Sequence, residues 1–154
     1  MKQTILVTGA SSGIGLLIAN RLHNSGHRVI GTSRNPDKHE SDVPFKLLPL
    51  DISDETSIQS FREALFNQID RLDVLINNAG YLVTGLAEET SVALGKQQFE
   101  TNFWGTVRLT TELLTRFQST EARENHHNRF NAGFDGSAEC RVLLRFEACT
   151  GGIF

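Results

Sequence analysis

Apolar residues fall into two rhythms along this chain. Short runs of strand length, Ile5-Leu6-Val7, Arg28 to Ser33, Phe45 to Leu50 and Leu72 to Ile76, lie among Gly, Asn, Asp, Ser and Pro. In the intervals, apolar and small residues recur every three or four positions. The first interval carries Ile14, Leu17, Ile18 and Leu22, and the second Ile58, Phe61, Leu65 and Ile69. The third carries Phe99, Phe103, Thr106, Thr110, Leu113, Leu114 and Phe117. This spacing predicts a first helix over about residues 13 to 25, stopped by Asn24-Ser25-Gly26. It predicts a second helix capped by Ser53 or Asp54, and a long last helix whose inner face is the third set. Residues 35–44 read as a polar connection. Strands alternating with helices imply right-handed parallel crossovers, and hence a doubly wound α/β fold around a parallel sheet.

The pattern stops past about Ser119. Glu121 to Arg129 is polar, and only Val142-Leu143-Leu144 afterwards has the look of a short strand. The division expected is therefore a domain over 1–118 and an irregular tail over 119–154. His126 and His127 adjoin each other, but sequence neighbours point apart and no spaced carboxylate or thiol set accompanies them, so no metal site is expected. Cys140 and Cys149 give no disulfide framework.

With 154 residues, 39 % hydrophobic and 21 % charged, this is one soluble domain's worth of chain. A net charge of −3 without a basic block argues against nucleic acid or an anionic membrane surface. The N-terminal apolar run is too short for a signal peptide and no later run would span a bilayer, so a cytoplasmic location is expected.

The chemistry concentrates at Thr8-Gly9-Ala10-Ser11-Ser12-Gly13-Ile14-Gly15, directly after the first strand. Gly9 suits a tight turn, while Gly13 and Gly15 let backbone approach a pyrophosphate. The unpaired N–H groups that open the next helix, with its dipole, favour an anion there. Asp51 follows the third strand, at the end of the sheet where open α/β folds bind ligands, and can alternatively serve as part of a helix cap. Asn78-Ala79-Gly80 leaves the fourth strand with small residues.

These landmarks, with Asn102 and Gly105 on the long helix, resemble the N-terminal part of a short-chain dehydrogenase/reductase over about residues 3 to 118. The resemblance implies a Rossmann-type sheet, incomplete at the C-terminal side, and an NADP-dependent oxidoreductase that interconverts an alcohol and a carbonyl. It places the dinucleotide against Gly9, Ser11, Ser12, Gly13, Ile14, Gly15, Arg34, Asp51, Ile52, Asn78, Ala79 and Gly80. Asn102 takes the position of a catalytic-tetrad residue that helps hold a water beside a lysine. Arg34 follows the second strand, where NAD-binding relatives carry an acid, and a guanidinium there pairs with a 2′-phosphate, so NADP is expected over NAD. The resemblance leaves substrate and oligomeric state open.

The family's chemistry rests on a serine, a tyrosine thirteen residues later and a lysine four beyond, and this chain lacks that set. Its one tyrosine, Tyr81, has Gly85 four positions on. Loss of a general acid alone costs on the order of 10² to 10⁴ in rate. The tail suggests why. Read one base later, its permitted codons spell Ala-Phe-Tyr-Cys-Ala-Ser-Lys-His-Ala-Leu-Glu-Gly from Arg141 to Gly152, and Gly-Arg-Ile-Ile-Thr-Ile-Gly-Ser from Arg123 to Phe130. A serine codon overlapping Phe130 and a tyrosine codon overlapping Leu143 then stand thirteen positions apart. A frame slip around residues 115 to 123 is expected, leaving the fourth strand without its neighbour, an aggregation-prone edge and a marginally stable product. A catalytically inactive nucleotide-binding fragment and a translation product that does not fold are the alternatives to a working enzyme.

Overall fold

The structure, a computed structural model, describes residues 2–86, 88, 90–121 and 141–144, with the backbone alone for 115–121 and 141–144. In chain order the elements are β1 (Thr4–Val7), α1 (Gly13–Asn24), β2 (Arg28–Ser33), two 3-10 turns (Pro36–Lys38 and Glu40–Asp42), β3 (Lys46–Pro49), α2 (Glu55–Phe66), β4 (Val74–Asn77), α3 (Val92–Phe99), a π-helix (Glu100–Gly105) running into α4 (Thr106–Glu121), and β5 (Arg141–Leu144). The strands form one parallel sheet in the order β3-β2-β1-β4-β5. Leu6 is in register with Ile30 on one side and Leu75 on the other.

Both faces of the sheet are covered, which is why its strands read as nearly unbroken apolar runs. Leu6, Ile30, Leu48 and Leu75 meet α2 and α4 on one face through Ile58, Phe61, Leu65, Leu109 and Leu113. Ile5, Val7, Val29 and Leu47 meet α1 on the other, around Ala19. Each fully buried side chain of this kind contributes roughly 1.5–3 kcal/mol. Asp54, not Ser53, caps α2, accepting from Thr56 N.

Two expectations need correction. The last helical segment changes type midway, and the inner face its spacing predicted holds at Thr106, Thr110 and Leu113 but not at Phe99 and Phe103. Phe99 and Phe103 are exposed, at 66 % and 37 %, while Thr106, Leu109, Thr110 and Leu113 are buried. The wide π turn between α3 and α4 shifts the helical phase, so the stripe buried from Thr106 onward does not extend back at 3.6 residues per turn to Phe103 and Phe99. Phe117 lies among residues whose side chains are outside the described set. The second correction concerns β4, which does have a neighbour: Val74 to Asn77 pair in register with Arg141 to Leu144. The proposed strand over 123–130 and the His126–His127 pair lie outside the described residues.

Candidate functional site

Sheet order reverses between β1 and β4: the chain leaves β1 toward α1 on one face, whereas α2 and α4 lie on the other. The crevice at the C-terminal ends of those two strands is where open α/β sheets place their ligands. Here it is organised by Thr8, which is fully buried. Its hydroxyl oxygen accepts from Asn78 N and Ala79 N, both at 2.9 Å, so the exit from β4 is tied to the exit from β1. Asn78 answers with its side chain, whose Nδ2 donates to Thr8 O at 2.9 Å and Gly9 O at 3.3 Å. Thr32, from β2, accepts from Gly9 N through its hydroxyl at 3.1 Å and from Ala10 N through its carbonyl at 2.9 Å. The two adjacent asparagines divide by strand alternation. Asn78 braces the glycine turn, and buried Asn77 donates to Thr110 Oγ1 at 3.3 Å on α4.

The glycines do distinct jobs. Gly9 and Gly13 hold φ at +65° and +55°, in the left-handed region. A Cβ on Gly15 would overlap the Gly9 carbonyl oxygen and the Asn78 amide, so only glycine lets α1 start this close to the turn. Gly13 instead faces open space.

The start of α1 differs from the starts of α2 and α3. Ser12 stands at its N-cap with extended backbone, but its side chain makes no capping bond, and the first turn holds no acid. Asp54 caps α2 and Ser91 caps α3 through their side chains. The opening N–H groups of α1 are therefore left for another acceptor, beside half-buried Ser11 and half-exposed Ile14. Asp54 is held below the usual carboxylate range by the Thr56 hydroxyl, and then by the Thr56 N–H.

At the next strand ends, Arg34 is exposed immediately after β2. With Asn35, Pro36 and Lys38 it lines an open cleft at the β2–β3 edge. Asp51 turns one carboxylate oxygen, Oδ1, onto Ser53, accepting from its N–H at 2.9 Å and its hydroxyl at 2.6 Å. Asp51 thus shapes the turn before α2 while Asp54 does the capping. Ile52 is buried, and its carbonyl lies against Gly105, where a Cβ would overlap it.

Asn102 was expected on the long last helix. It is only half-buried, within the π-helix, and its amide is satisfied by backbone. Oδ1 accepts from Tyr81 N at 3.0 Å and Nδ2 donates to Tyr81 O at 2.8 Å. Gly80 sits against this amide, with room for a Cβ only 3.1 Å from Asn102 Oδ1. Thr106, one turn on, donates its hydroxyl to Asn102 O at 3.1 Å. The structure thus brings the glycine turn, Asn78 to Gly80 and Asn102 together, while Arg34 after β2 and Asp51 and Ile52 after β3 stand at the same end of the sheet. The bracing roles of Thr8 and Thr32, and the π turn, were missed by sequence reasoning. A threonine at the end of a buried strand was the available signal for the first two; nothing in the local spacing marked the third.

Among the described residues no group of three or more His, Cys, Asp or Glu could hold a metal ion, and no helix is long and apolar enough to cross a membrane.

A parallel doubly wound sheet with a glycine turn at its switch point defines a Rossmann-type nucleotide-binding domain. The family described as short chain dehydrogenase matches residues 3–124. A 3-ketodihydrosphingosine reductase of Bacteroides thetaiotaomicron is 38 % identical over 112 residues, covering 73 % of this chain and 41 % of that protein. The crystal structure of a short-chain dehydrogenase from Streptomyces avermitilis superimposes with a TM-score of 0.69 at 35 % identity, over 76 % of this chain and 45 % of its own. An actinorhodin polyketide ketoreductase solved with NADPH gives 0.66 at 32 % identity, over 75 % and 47 %. The chain belongs to the short-chain dehydrogenase family, whose members are oxidoreductases using nicotinamide cofactors. It spans less than half the length of these relatives.

Proposed function

We propose that this chain is the NADP-binding part of a cytoplasmic oxidoreductase that interconverts an alcohol and a carbonyl, and that the polypeptide by itself does not turn over. The observation that carries the cofactor reading is the uncapped start of α1, set beside open space at Gly13 and braced from below by Asn78. The amides from Ser11 to Gly15 would hold the pyrophosphate. Asp51, with Oδ1 committed to Ser53, would offer its other oxygen to the adenine amino group, Ile52 would pack beside the base, and Arg34 would pair with the 2′-phosphate. Asn78, Ala79 and Gly80 would pass along the ribose of the nicotinamide half. When bound, NADPH supplies hydride for carbonyl reduction. Asn102, clamped to Tyr81, fixes the strand exit beside which that transfer would occur and keeps its backbone in the π turn.

The test is a fluorescence titration with NADPH and NADH. Arg34→Glu is expected to weaken NADPH by at least about tenfold, the equivalent of roughly 1.4 kcal/mol, and to leave NADH unchanged or improved. Equal loss for both cofactors removes the 2′-phosphate assignment, and no saturable binding to the unaltered chain removes the cofactor reading.

We further propose that residues beyond about 119 are translated out of frame. Supporting this is the shifted reading, which restores a serine, tyrosine and lysine at family spacing. Coding DNA decides it: Phe130 must be TTC, Leu143 TTA or CTA, and Glu147 GAA, and any other codon ends the idea. The purified polypeptide should reduce no ketone, because no residue would supply the proton.

A further inference from the structure

The geometry points to Thr32 as a positioning residue that decides which amides of the glycine turn are left for a diphosphate. This inference rests on the cofactor placement proposed above and adds to it a residue that touches no ligand. Thr32 is the next-to-last residue of β2 and is only 2 % exposed. At this end of β2 consecutive carbonyls serve opposite neighbours. Thr32 O accepts from Ala10 N at 2.9 Å, after β1, and Ser33 O accepts from Leu50 N at 2.9 Å, after β3. The Thr32 hydroxyl adds a bond that the strand ladder does not require, accepting from Gly9 N at 3.1 Å. One side chain and its carbonyl therefore take two consecutive N–H groups of the turn.

The division falls between Ala10 and Ser11. Before it both N–H groups are committed to Thr32; after it the N–H groups of Ser11 and Ser12 find no acceptor among the described residues, and Ser12 gives α1 no side-chain cap. Each backbone N–H is one donor, so the pair that Thr32 holds is withheld from a ligand and the pair it leaves faces one. Gly9 makes the division sensitive to a single hydroxyl. At φ +65° it carries no side chain to restrict its backbone, and its conformation is held by the Thr32 bond and by close backbone at Ala79. A turn fixed before the ligand arrives meets less ordering cost on binding. The turn that carries Arg34 has a separate brace, since Ser33 Oγ accepts from Asn35 N at 3.2 Å. Two adjacent hydroxyls thus support two different parts of the cofactor site, and loss of one should be felt by one part alone.

The experiment uses the full chain and reads amide hydrogen exchange by NMR together with the dissociation constants of ADP and 2′-AMP, which carry the diphosphate and the 2′-phosphate separately. In the unaltered chain the N–H groups of Gly9 and Ala10 are expected to be protected without ligand, and those of Ser11 and Ser12 to exchange freely until ADP is added. Thr32→Val keeps the branched shape and removes the acceptor. It should speed exchange at Gly9 and weaken ADP about tenfold while leaving 2′-AMP within about twofold, and Thr32→Ser, which restores the hydroxyl, should bring ADP back to within about twofold. Equal weakening of 2′-AMP would mean a general loosening of the fold and overturns the assignment, as does unchanged ADP binding in Thr32→Val. Free exchange of Gly9 in the unaltered chain overturns it as well, a measurement that decides even where Thr32→Val does not fold. Failure of the unaltered chain to bind ADP removes the cofactor reading itself, whereas ADP bound equally by the unaltered chain and Thr32→Val removes only the role of Thr32.

Discussion

Thr8 sets the tolerance of the whole crevice, because one buried hydroxyl satisfies two N–H groups of the β4 exit. Thr8→Val keeps the shape and removes the acceptor, leaving Asn78 N and Ala79 N unpaired. With about 1–3 kcal/mol for each orphaned buried donor, the substitution should lower unfolding free energy by about 2 kcal/mol or more, measured by urea denaturation. It should also weaken NADPH, since the glycine turn loses its brace. Asp54 supplies a pH-dependent counterpart. Its folded pKa lies below the unfolded value, so the cap stabilises above the ordinary carboxylate pKa and that contribution fades as pH falls through the lowered folded one. Asp54→Ala should therefore melt at a lower temperature than the unaltered chain at neutral pH. In melts at successively more acidic pH the gap should close from about pH 4 downward.

Among the elements, the π-helix decides which residues of the last helical segment reach the core. Residues on the two sides of the π turn carry opposite expectations. Leu109 is fully buried against α2 and the sheet, and Leu109→Ala should cost about 3 kcal/mol, in the range for truncating a buried leucine. Phe99→Ala removes a larger side chain yet should change stability by no more than about 0.5 kcal/mol, because Phe99 is mostly exposed. A large loss at Phe99 would mean an uninterrupted helix in the predicted phase. The same turn carries Asn102 to the backbone of Tyr81, so the helix phase and the geometry of the crevice are set together.

For the whole molecule, cofactor and fold are linked by mass action. If the amides of α1 bind NADPH and the unfolded chain does not, NADPH at about a hundredfold over its dissociation constant should add roughly 2.7 kcal/mol, seen as a raised melting temperature. A melt unmoved by saturating NADPH would point to a polypeptide that does not form the crevice. The pairing of β5 with β4 bears on the same question: the sheet edge predicted at β4 lies one strand further out, at Arg141–Leu144.

The fold was legible in the sequence because its signals are local. Ile5 to Val7, Val29-Ile30 and Leu75-Ile76 are strand-length apolar runs, and the turn at Thr8 to Gly15 carries its own glycine requirement. The candidate residues that leave β1, β2, β3 and β4 were legible for the same reason, whereas Asn102, within the π-helix, was named through the family resemblance. Contacts across the chain were not. That Thr8 and Asn78, seventy positions apart, share hydrogen bonds depends on β1 and β4 lying side by side. That Gly31 is needed follows only from Ala10, Leu47 and Phe45 converging within 2.9 Å of where its Cβ would stand. The phase of the last helix depends on a π turn that lets Gly105 rest on the Ile52 carbonyl, a fit between two elements that no periodicity encodes. Sequence determined the order and kind of the elements through short-range pattern; tertiary packing decided register, helix phase and which polar groups meet, because those energies arise between segments distant in the chain.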